Sequence, residues 1–564
     1  MPNNICREFR HGYHVKGELE SSSPGKPKRK DAVIVKELLH MPDGTTKKNL
    51  VIYEDLKRPF YITKPYYRNH KQKKEREHIS KLDKFEATDT ELPKEVMRRL
   101  GKRAYGKVSM RDVRMSPYVY GTEVDIVTLL KYEYGKKCDK TTPYEIMFYD
   151  IENDPDTHEL NLLSIIYKEG DRIKVHLYTH EKYTAKYPNY TERVMKLWNE
   201  QIPDLIPKDM KKYLGYDPFD HIDIKINIAK DEMDLIRSAF VVLHHVGYDI
   251  LTAWGGWHDI STIEERCLYH GVDPNDIFCD PSIPKEYRER NIKQGRTTMV
   301  TQAGAEKRLD PQEQWHMMRF PAKFYIVDFM ATYYFNRRGG QKVYGGYSLE
   351  NMASIVLGVG KLHLETIEGV SKALWHKLMV RDHFIDYTVY NIWDSLLMLF
   401  MEAKTGDLSI QLPLQCGVGT FDRYDRTPSL VLDDFHFYLL ERDYILGTDV
   451  VNETYESELD RKKWVVTVEA WRTVSGDHRR LPGTNLLTNF RFYTYDSDQV
   501  SGYPSDTVVT NLSKETCVRE VIKIEGHEPD NFKRQTINLM GGYANHVQFM
   551  REMFNAPTFK DLAA

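Results

Sequence analysis

The sequence feature that most constrains the fold is the segment EIMFYDIEND, residues 145–154. Its apolar and aromatic residues predict a buried strand, which carries Asp150 and Glu152 two positions apart. Alternate residues of a strand point to the same face, so these two carboxylates are expected to lie side by side. Ionised neighbours of this kind repel each other unless a cation or a shared proton compensates. The pattern D-x-E is common after strands, so it predicts a metal site only in the company of further acids.

Composition and cysteine spacing exclude two classes of protein. The 564 residues contain no uncharged apolar run as long as the roughly 18 residues of a membrane span. Six cysteines stand far apart without a C-x-x-C pair, which favours reduced thiols in the cytoplasm and argues against a zinc module. The net charge of −3 means that any nucleic-acid binding must come from local basic grooves.

The order of strand-like and helix-like segments predicts a multidomain α/β (α+β) protein. Residues 1–143 look β-rich, and residues 144–405 alternate strands with helices after an opening meander, which favours a layered fold with a mixed sheet. Residues 406–450 are expected to return to the first domain or to act as a linker, with SIQLPLQCG as a strand. Strand-like segments and a helical tail then predict a further domain at 451–564.

Two more acids stand in settings that suit the same site. Asp259 begins a predicted helix directly after the predicted strand YDILTAW, where its ordinary role would be that of a helix N-cap. Tyr390 and Asp394 are four positions apart on the predicted helix DYTVYNIWDSLLMLFMEAKTG and therefore share a face. A buried tyrosine beside a surface acid would explain that pair equally well.

Taken together, the four acids predict a site for two divalent cations. Oxygen ligands without His or Cys favour Mg²⁺ or Mn²⁺ over zinc. Two such ions about 3.5–4 Å apart activate a water and stabilise the leaving oxygen of a phosphodiester. Tyr390, one helical turn from Asp394, would orient that water.

The order D-x-E, W-x4-D and Y-x3-D resembles the three exonuclease motifs of family B DNA polymerases of phage and viral type. The flanking segments PFYITKPYYRNHKQKKE, SPYVYGTEVD and GGYSLENMASIVLGVGKLHLE are similar to that family as well, and the resemblance spans most of residues 50–515. It implies a ribonuclease-H-like fold at 144–405 and 3′→5′ proofreading activity. The implied catalytic residues are Asp150, Glu152, Asp259, Tyr390 and Asp394, of which the four acids would bind metal.

The second motif departs from the family pattern. Gly255 and His258 stand where an Asn and an aromatic residue are usual, and the motif is one residue shorter. Asp249 and Asp328 are therefore reserve candidates for the place of Asp259.

The pattern D-x-x-S-x-Y-P-S, which starts at Asp498, resembles the first polymerase motif of the same family. The resemblance implies that Asp498 is catalytic and binds metal. The backbone N–H groups of Ser501, Gly502 and Tyr503 would then cradle the nucleotide, and Tyr503 would exclude a 2′-hydroxyl. A strand followed by a proline turn is the ordinary alternative. Residues 499–564 contain no second D-T-D and no finger-helix motif.

The resemblance thus implies the N-terminal part of a family B DNA polymerase, in which 451–564 begin the palm. Nucleotide addition would need a second chain, as in a split polymerase, or the rest of a longer protein. The implied partners are primer-template and single-stranded DNA, dNTP, a C-terminal polymerase subunit and a sliding clamp, in the cytoplasm of a phage-infected host. Two alternatives stay open: a stand-alone 3′→5′ exonuclease with a vestigial palm, and a non-catalytic DNA-binding subunit.

Overall fold

The computed structural model describes residues 5–19, 28–70, 73–74, 76–102, 108–300, 306–338, 343–363 and 370–447. These residues combine helices with several β-sheets, which confirms the prediction of a mixed α/β protein. The expected palm at 451–564 lies outside the described residues, and so do its candidate site residues Asp498, Ser501, Gly502 and Tyr503.

Two small antiparallel sheets dominate the N-terminal region. Its described strands and helices are β1 (Cys6–Val15), β2 (Ala32–His40), β3 (Thr46–Glu54), β4 (Arg58–Thr63), β5 (Arg76–His78), β6 (Leu82–Ala87), α1 (Leu92–Arg99), α2 (Met110–Arg114), β7 (Val119–Tyr120) and α3 (Ile126–Lys137). One sheet has the order β1-β2-β3 and the other the order β6-β4-β7. Helix α3 packs against β1.

A six-stranded mixed sheet follows. The described strands of this region are β8 (Ile146–Asn153), β9 (Leu160–Glu169), β10 (Arg172–His180), β11 (Ile222–Ala229), β12 (Ile250–Ala253), β13 (Asn291–Lys293), β14 (Thr298–Val300), β15 (Glu306–Arg308), β16 (Met317–Arg319) and β17 (Tyr325–Asp328). The large sheet has the order β11-β10-β9-β8-β12-β17. Strand β9 is antiparallel to both of its neighbours, and the other pairs are parallel. The hairpin predicted at EGDR is confirmed, because Glu169 pairs with Arg172.

Helices cover both faces of this sheet. They are α4 (Glu181–Thr184), α5 (Tyr190–Gln201), α6 (Met210–Leu214), α7 (Glu232–Val246), α8 (Trp257–Tyr269), α9 (Asn275–Phe278), α10 (Phe329–Arg337), α11 (Leu349–Leu357), α12 (Lys372–Asp382) and α13 (Phe384–Thr405). One hydrophobic core lies between the sheet and α5, α11 and α13, and a second lies between the sheet and α7 and α8.

The alternation of β8 divides its side chains between these two cores. Ile146 and Phe148 pack in the core that contains α13, whereas Met147 and Tyr149 pack in the core of α7 and α8. Because side-chain direction alternates along a strand, the even-numbered acids at the end of β8 emerge on the α13 face.

The segment after α13 is helical, so the prediction of a strand at SIQLPLQCG was wrong. Gly406, at a φ of +64°, ends α13, and a π-helical turn (Asp407–Gln411) leads into α14 (Leu412–Cys416). Leu408, Leu412 and Cys416 are buried at intervals of four residues, a helical period that the alternating letters conceal. Helix α15 (Thr427–Leu440) and β18 (Tyr444–Leu446) complete the described chain, and β18 pairs with β5.

The prediction that the cysteines are reduced was wrong for two of them. Cys6 and Cys138 form a disulfide across a Cα–Cα distance of 5.4 Å. Their separation of 132 residues hides the pairing in the sequence, since only the packing of α3 on β1 brings them together. Among the described helices, none is long and apolar enough to cross a membrane.

A buried ion network joins the N-terminal sheet to the large sheet. The Asp249 carboxylate accepts hydrogen bonds from Arg10 at 2.8 Å and from the Glu145 amide at 3.0 Å, and it pairs with Lys36 Nζ at 2.7 Å. Burial would raise the pKa of Asp249, but Lys36 and Arg10 outweigh it and hold that pKa well below its usual range. Removing one partner of such a network leaves a buried charge uncompensated, which costs several kcal/mol.

His11 makes the stability of this junction depend on pH. Its Nε2 is 3.1 Å from the Lys323 carbonyl, and burial, followed by the charge of Lys36, lowers the pKa of His11 to about 4. An unfolded histidine titrates near pH 6.5, so the unfolded chain binds the extra proton first and native stability is lost as the pH falls from 6.5 to 4.

We therefore expect His11→Gln to flatten the pH dependence of unfolding. Between pH 7 and pH 4 the unmodified protein should lose roughly 3 kcal/mol more unfolding free energy than the variant. Urea titrations at a series of pH values measure this difference. His245→Gln, which changes an exposed histidine on α7, is the matched control and should follow the unmodified protein. Parallel curves for His11→Gln and the unmodified protein would contradict the expectation.

Candidate metal site

Three carboxylates meet where α13 crosses the end of β8. Asp150 and Glu152 come from β8 and Asp394 comes from α13, and one carboxylate oxygen of each lies within 4.8 Å of the others. The two-residue spacing on the strand places the first two on one face, as the sequence predicts. Asp394 is 1% exposed and Asp150 is half-buried, so the cluster opens to solvent on the side of Asp150.

Small side chains hold α13 close to the sheet. Ser164 of β9 lies with its Oγ 2.8 Å from Ser395 Oγ and donates to the Asn391 carbonyl at 3.3 Å. Both serines are fully buried. Because neither serine fills much space, the helix backbone runs near β9, and the adjacent Asp394 reaches β8.

Each carboxylate has a hydrogen-bonding partner that fixes its position. Asn391 Nδ2 donates to Asp150 Oδ2 at 2.7 Å. The Tyr387 hydroxyl donates to Glu152 Oε2, and His376 Nδ1 lies 2.7 Å from that hydroxyl and 3.3 Å from the same carboxylate oxygen. These contacts orient oxygens that would otherwise turn away from one another.

Lys361 places a positive charge inside the cluster. Its Nζ contacts Asp394 Oδ2 and donates to the Tyr390 hydroxyl at 2.9 Å. Burial alone would lower the pKa of Lys361, but Asp394, Tyr390 and Asp150 outweigh it and raise that pKa well above its usual value. The ammonium group is therefore charged and offsets part of the repulsion between the acids.

The remaining electrostatics show a site that favours a cation. Burial, reinforced by Glu152, Asp394 and Asp259, raises the pKa of Asp150 well above its ordinary value. Burial also raises the pKa of Asp394, although Lys361 acts in the opposite direction. Burial and the neighbouring acids thus outweigh the charge of Lys361, and a bound cation would stabilise the ionised carboxylates further.

Asp259 stands apart from the three clustered acids. It lies in the first turn of α8 and is 8% exposed, and among the described residues it is not part of the set whose oxygens lie within 4.8 Å. It is nevertheless close enough to interact, because burial and then the charges of Glu152 and Asp328 raise the pKa of Asp259 well above its usual value.

The two reserve candidates have other positions. Asp249 precedes β12, at the opposite end of that strand from the cluster, and is engaged by Arg10 and Lys36. Asp328 caps α10 by accepting from the Ala331 amide at 3.2 Å, and it also accepts from the Gly255 amide at 3.3 Å. Burial raises the pKa of Asp328 to about 6. Its contact with Gly255 holds the loop that leads to Asp259.

Sequence reasoning missed four residues that touch the acids: Tyr387, Asn391, His376 and Lys361. A signal existed for the first two, because Tyr387, Asn391 and Asp394 follow the i, i+4, i+7 spacing of one helix face. His376 lies on α12, and Lys361 lies in the segment after α11. The local spacing of residues did not indicate that either side chain contacts the acids.

The donor chemistry fits a metal ion that prefers oxygen ligands. Three carboxylates converge, and Asp394 Oδ1 is buried without a hydrogen-bond partner in the part of the chain that the structure describes. An orphaned carboxylate oxygen in the interior is costly unless it ligates a cation. The cluster could therefore hold a metal ion.

Comparison with known proteins adds no assignment for this site. No protein-family model matches the chain, and no curated protein matches it either. The geometry of the cluster and the sequence motifs are therefore the basis for a functional proposal.

Metal binding can be tested directly. We expect Mn²⁺ to bind the protein at neutral pH and Asp150→Ala with Glu152→Ala to weaken that binding by at least roughly 10- to 100-fold, because two of three ligands are lost. Electron paramagnetic resonance of free Mn²⁺ measures the bound fraction. Asp156→Asn changes an exposed acid between β8 and β9 and serves as the control. Equal Mn²⁺ binding by the double variant would exclude the three-carboxylate site.

Proposed function

We propose that this chain is a metal-dependent 3′→5′ exodeoxyribonuclease and the N-terminal part of a family B DNA polymerase. The observation that carries the proposal is the convergence of Asp150, Glu152 and Asp394 from a strand and a helix about 240 residues apart. These are the first and third of the motifs on which the resemblance rests, and the fold brings their acids into one cluster.

The sheet supports the ribonuclease-H-like fold that the resemblance implies. An antiparallel meander, β8 to β10, precedes parallel strands reached through helices, and helices cover both faces. The acids emerge where the first strand of the meander ends. Such an edge, with one helix crossing it, presents carboxylates to a strand of nucleic acid from one side.

The ligand set favours Mg²⁺ or Mn²⁺, with two ions for this chemistry. When bound, the ions supply an activated water and stabilise the charge on the leaving 3′-oxygen. Asp150, Glu152 and Asp394 would hold them, with Asp259 as an additional buried acid nearby. Asn391 and Tyr387 keep two of these carboxylates oriented, and ordered ligands of this kind limit the reorganisation needed during reaction.

Lys361 and Tyr390 provide polar groups for the phosphodiester itself. The Lys361 ammonium sits on a flexible stem, so it can move from Asp394 to a non-bridging phosphate oxygen when DNA enters. The Tyr390 hydroxyl, which accepts a hydrogen bond from Lys361, is then free to accept one from the attacking water and to align it. Both side chains act at the face where Asp394 reaches β8.

Asp498, with Ser501, Gly502 and Tyr503, is proposed to contribute the first part of a polymerase site. Nucleotide addition is assigned to an assembly that supplies the other polymerase motifs, from a second polypeptide or from the rest of a longer chain. Primer-template DNA, dNTP, a C-terminal polymerase subunit and a sliding clamp are the proposed partners.

Exonuclease activity is tested on a 5′-labelled single-stranded oligonucleotide with Mg²⁺. The unmodified protein should shorten it one nucleotide at a time from the 3′ end. Asp150→Ala with Glu152→Ala should slow digestion by at least about a hundredfold, because the metals contribute several kcal/mol of transition-state stabilisation. Asp156→Asn is the control for folding and purification. Equal digestion by the purified double variant would refute the assignment.

The proposed role of Lys361 predicts changes of opposite sign in two measurements. Lys361→Met removes a cation that competes for Asp394, so Mn²⁺ binding should tighten. Digestion should slow by roughly tenfold or more, because the phosphate loses a charged partner. Lys361→Arg keeps the charge, so its Mn²⁺ affinity and its digestion rate should both lie between those of the unmodified protein and of Lys361→Met. If Lys361→Met weakens Mn²⁺ binding, the lysine supports the ligands and does not compete with the metal.

A further inference from the structure

A basic and aromatic surface lies in the N-terminal region, on residues that the proposed nuclease does not use. Among the residues of 64–81 that the structure describes, six are Lys or Arg and one is Glu. The whole protein has a net charge of −3, so this positive charge is concentrated locally. Such a concentration indicates an anionic partner.

Tyr66 is the most exposed large apolar or aromatic side chain that the structure describes, at 88%. It lies in the short 3₁₀-helix Pro65–Tyr67, and its ring meets that of Tyr67 edge to face at a centroid distance of 5.2 Å. Burial normally stabilises an aromatic ring. A ring that is this exposed to solvent is therefore a candidate contact for a binding partner.

The chain around Tyr66 is held firmly. The Lys64 amide donates to the Lys81 carbonyl at 3.0 Å, and Lys64 Nζ donates to the Ser80 carbonyl at 2.7 Å. On the other side, Arg68 Nε donates to the Thr63 carbonyl at 2.7 Å. The ring is thus presented from a fixed turn, and little conformational freedom is lost when a flat partner stacks on it.

A second aromatic group lies on the neighbouring elements. Tyr444 of β18 pairs with His78 of β5 and is 36% exposed. Its ring lies 5.1 Å from that of His78, and the Arg76 guanidinium lies 5.6 Å from it. His78 in turn contacts Ser80, the residue on which Lys64 is anchored. Contacts thus link Tyr444 through His78 and Ser80 to Lys64, which precedes the turn of Tyr66.

Two lysines of this surface share one acidic partner. Glu77 is buried, and its carboxylate pairs with Lys74 at 2.6 Å and with Lys81 at 3.5 Å. One negative charge is shared by two ammonium groups, each of which remains more than a third exposed. Lys74, Lys81 and Glu77 together carry one net positive charge, and both ammonium groups are accessible to solvent.

We propose that the surface formed by Pro65–Tyr67, β5 and Tyr444 binds single-stranded nucleic acid. Tyr66 stacks on a base, and Lys74 and Lys81 face the phosphates. Unpaired bases offer flat faces on which an exposed ring can stack, and phosphates offer anionic partners for the two lysines. An acidic protein segment would satisfy the cations but would leave the ring without a stacking partner, so the observations favour the nucleic acid.

The test is fluorescence anisotropy of a labelled oligothymidylate, longer than the roughly 16 nucleotides that one such groove covers. The full chain is used, and EDTA prevents any metal-dependent hydrolysis, so the result does not depend on the proposed nuclease. Tyr66→Ala should weaken binding by at least about fivefold, because one base loses its stacking partner. Tyr66→Phe keeps the ring and should bind like the unmodified protein. Tyr269→Ala removes a tyrosine that is 73% exposed on α8 and is the matched control.

Two further measurements separate stacking from charge. Lys74→Gln with Lys81→Gln should lower the slope of log affinity against log salt concentration by about 1.4, the value for two phosphate contacts on a single strand. On an abasic strand, Tyr66→Ala and the unmodified protein should bind alike. The proposal is overturned if Tyr66→Ala binds the oligothymidylate as tightly as Tyr66→Phe does. It is also overturned if Tyr66→Ala loses as much affinity on the abasic strand, or if the salt slope does not change.

Discussion

Repulsion between buried acids is the constraint to which the rest of the central domain responds. Asp150, Glu152 and Asp394 are packed at the end of β8, where burial and then the neighbouring carboxylates raise the pKa of Asp150. The protein offsets this cost with the Lys361 ammonium and with hydrogen bonds from Asn391 and Tyr387. Close packing of α13 on the sheet, through Ser164 and Ser395, brings Asp394 to the acids of β8. The negative charge at this edge of the sheet is thus only partly compensated by the described part of the chain.

A different solution appears at the other end of β12. There Asp249 meets two buried cations, Arg10 and Lys36, supplied by the N-terminal sheet. This acid is fully compensated from within the chain, and its charge serves to join two regions. The contrast explains why one acidic position is structural while the cluster on β8 can accept an external ion. Both kinds of acid look alike in the sequence, and only the partners distinguish them.

The sequence predicted the parts of the structure that depend on local pattern. The alternation of β8, the hairpin at EGDR and the long periodic helix α13 follow from spacings within a few residues. The prediction of a strand at SIQLPLQCG was wrong, because the buried residues of this segment follow a helical period that an alternating pattern of letters conceals. Gly406 ends α13, and the chain then continues as further helical turns. Lys361, His376 and the Cys6–Cys138 pair could not be predicted from spacing, since each depends on contacts between segments remote in the chain. Residues that act on a site from other elements are the ones that a single sequence conceals.

The distance in sequence between β8 and α13 has a consequence for the synthesis of the protein. A chain emerging from the ribosome folds from its N-terminal part first. The sheet strands that carry Asp150 and Glu152 appear long before Asp394, so a partly made chain contains two of the three clustered acids and no means of enclosing an ion between them. Contacts of such high sequence separation form late and slowly. The three acids therefore come together only after α13 has been synthesised and has packed on the sheet.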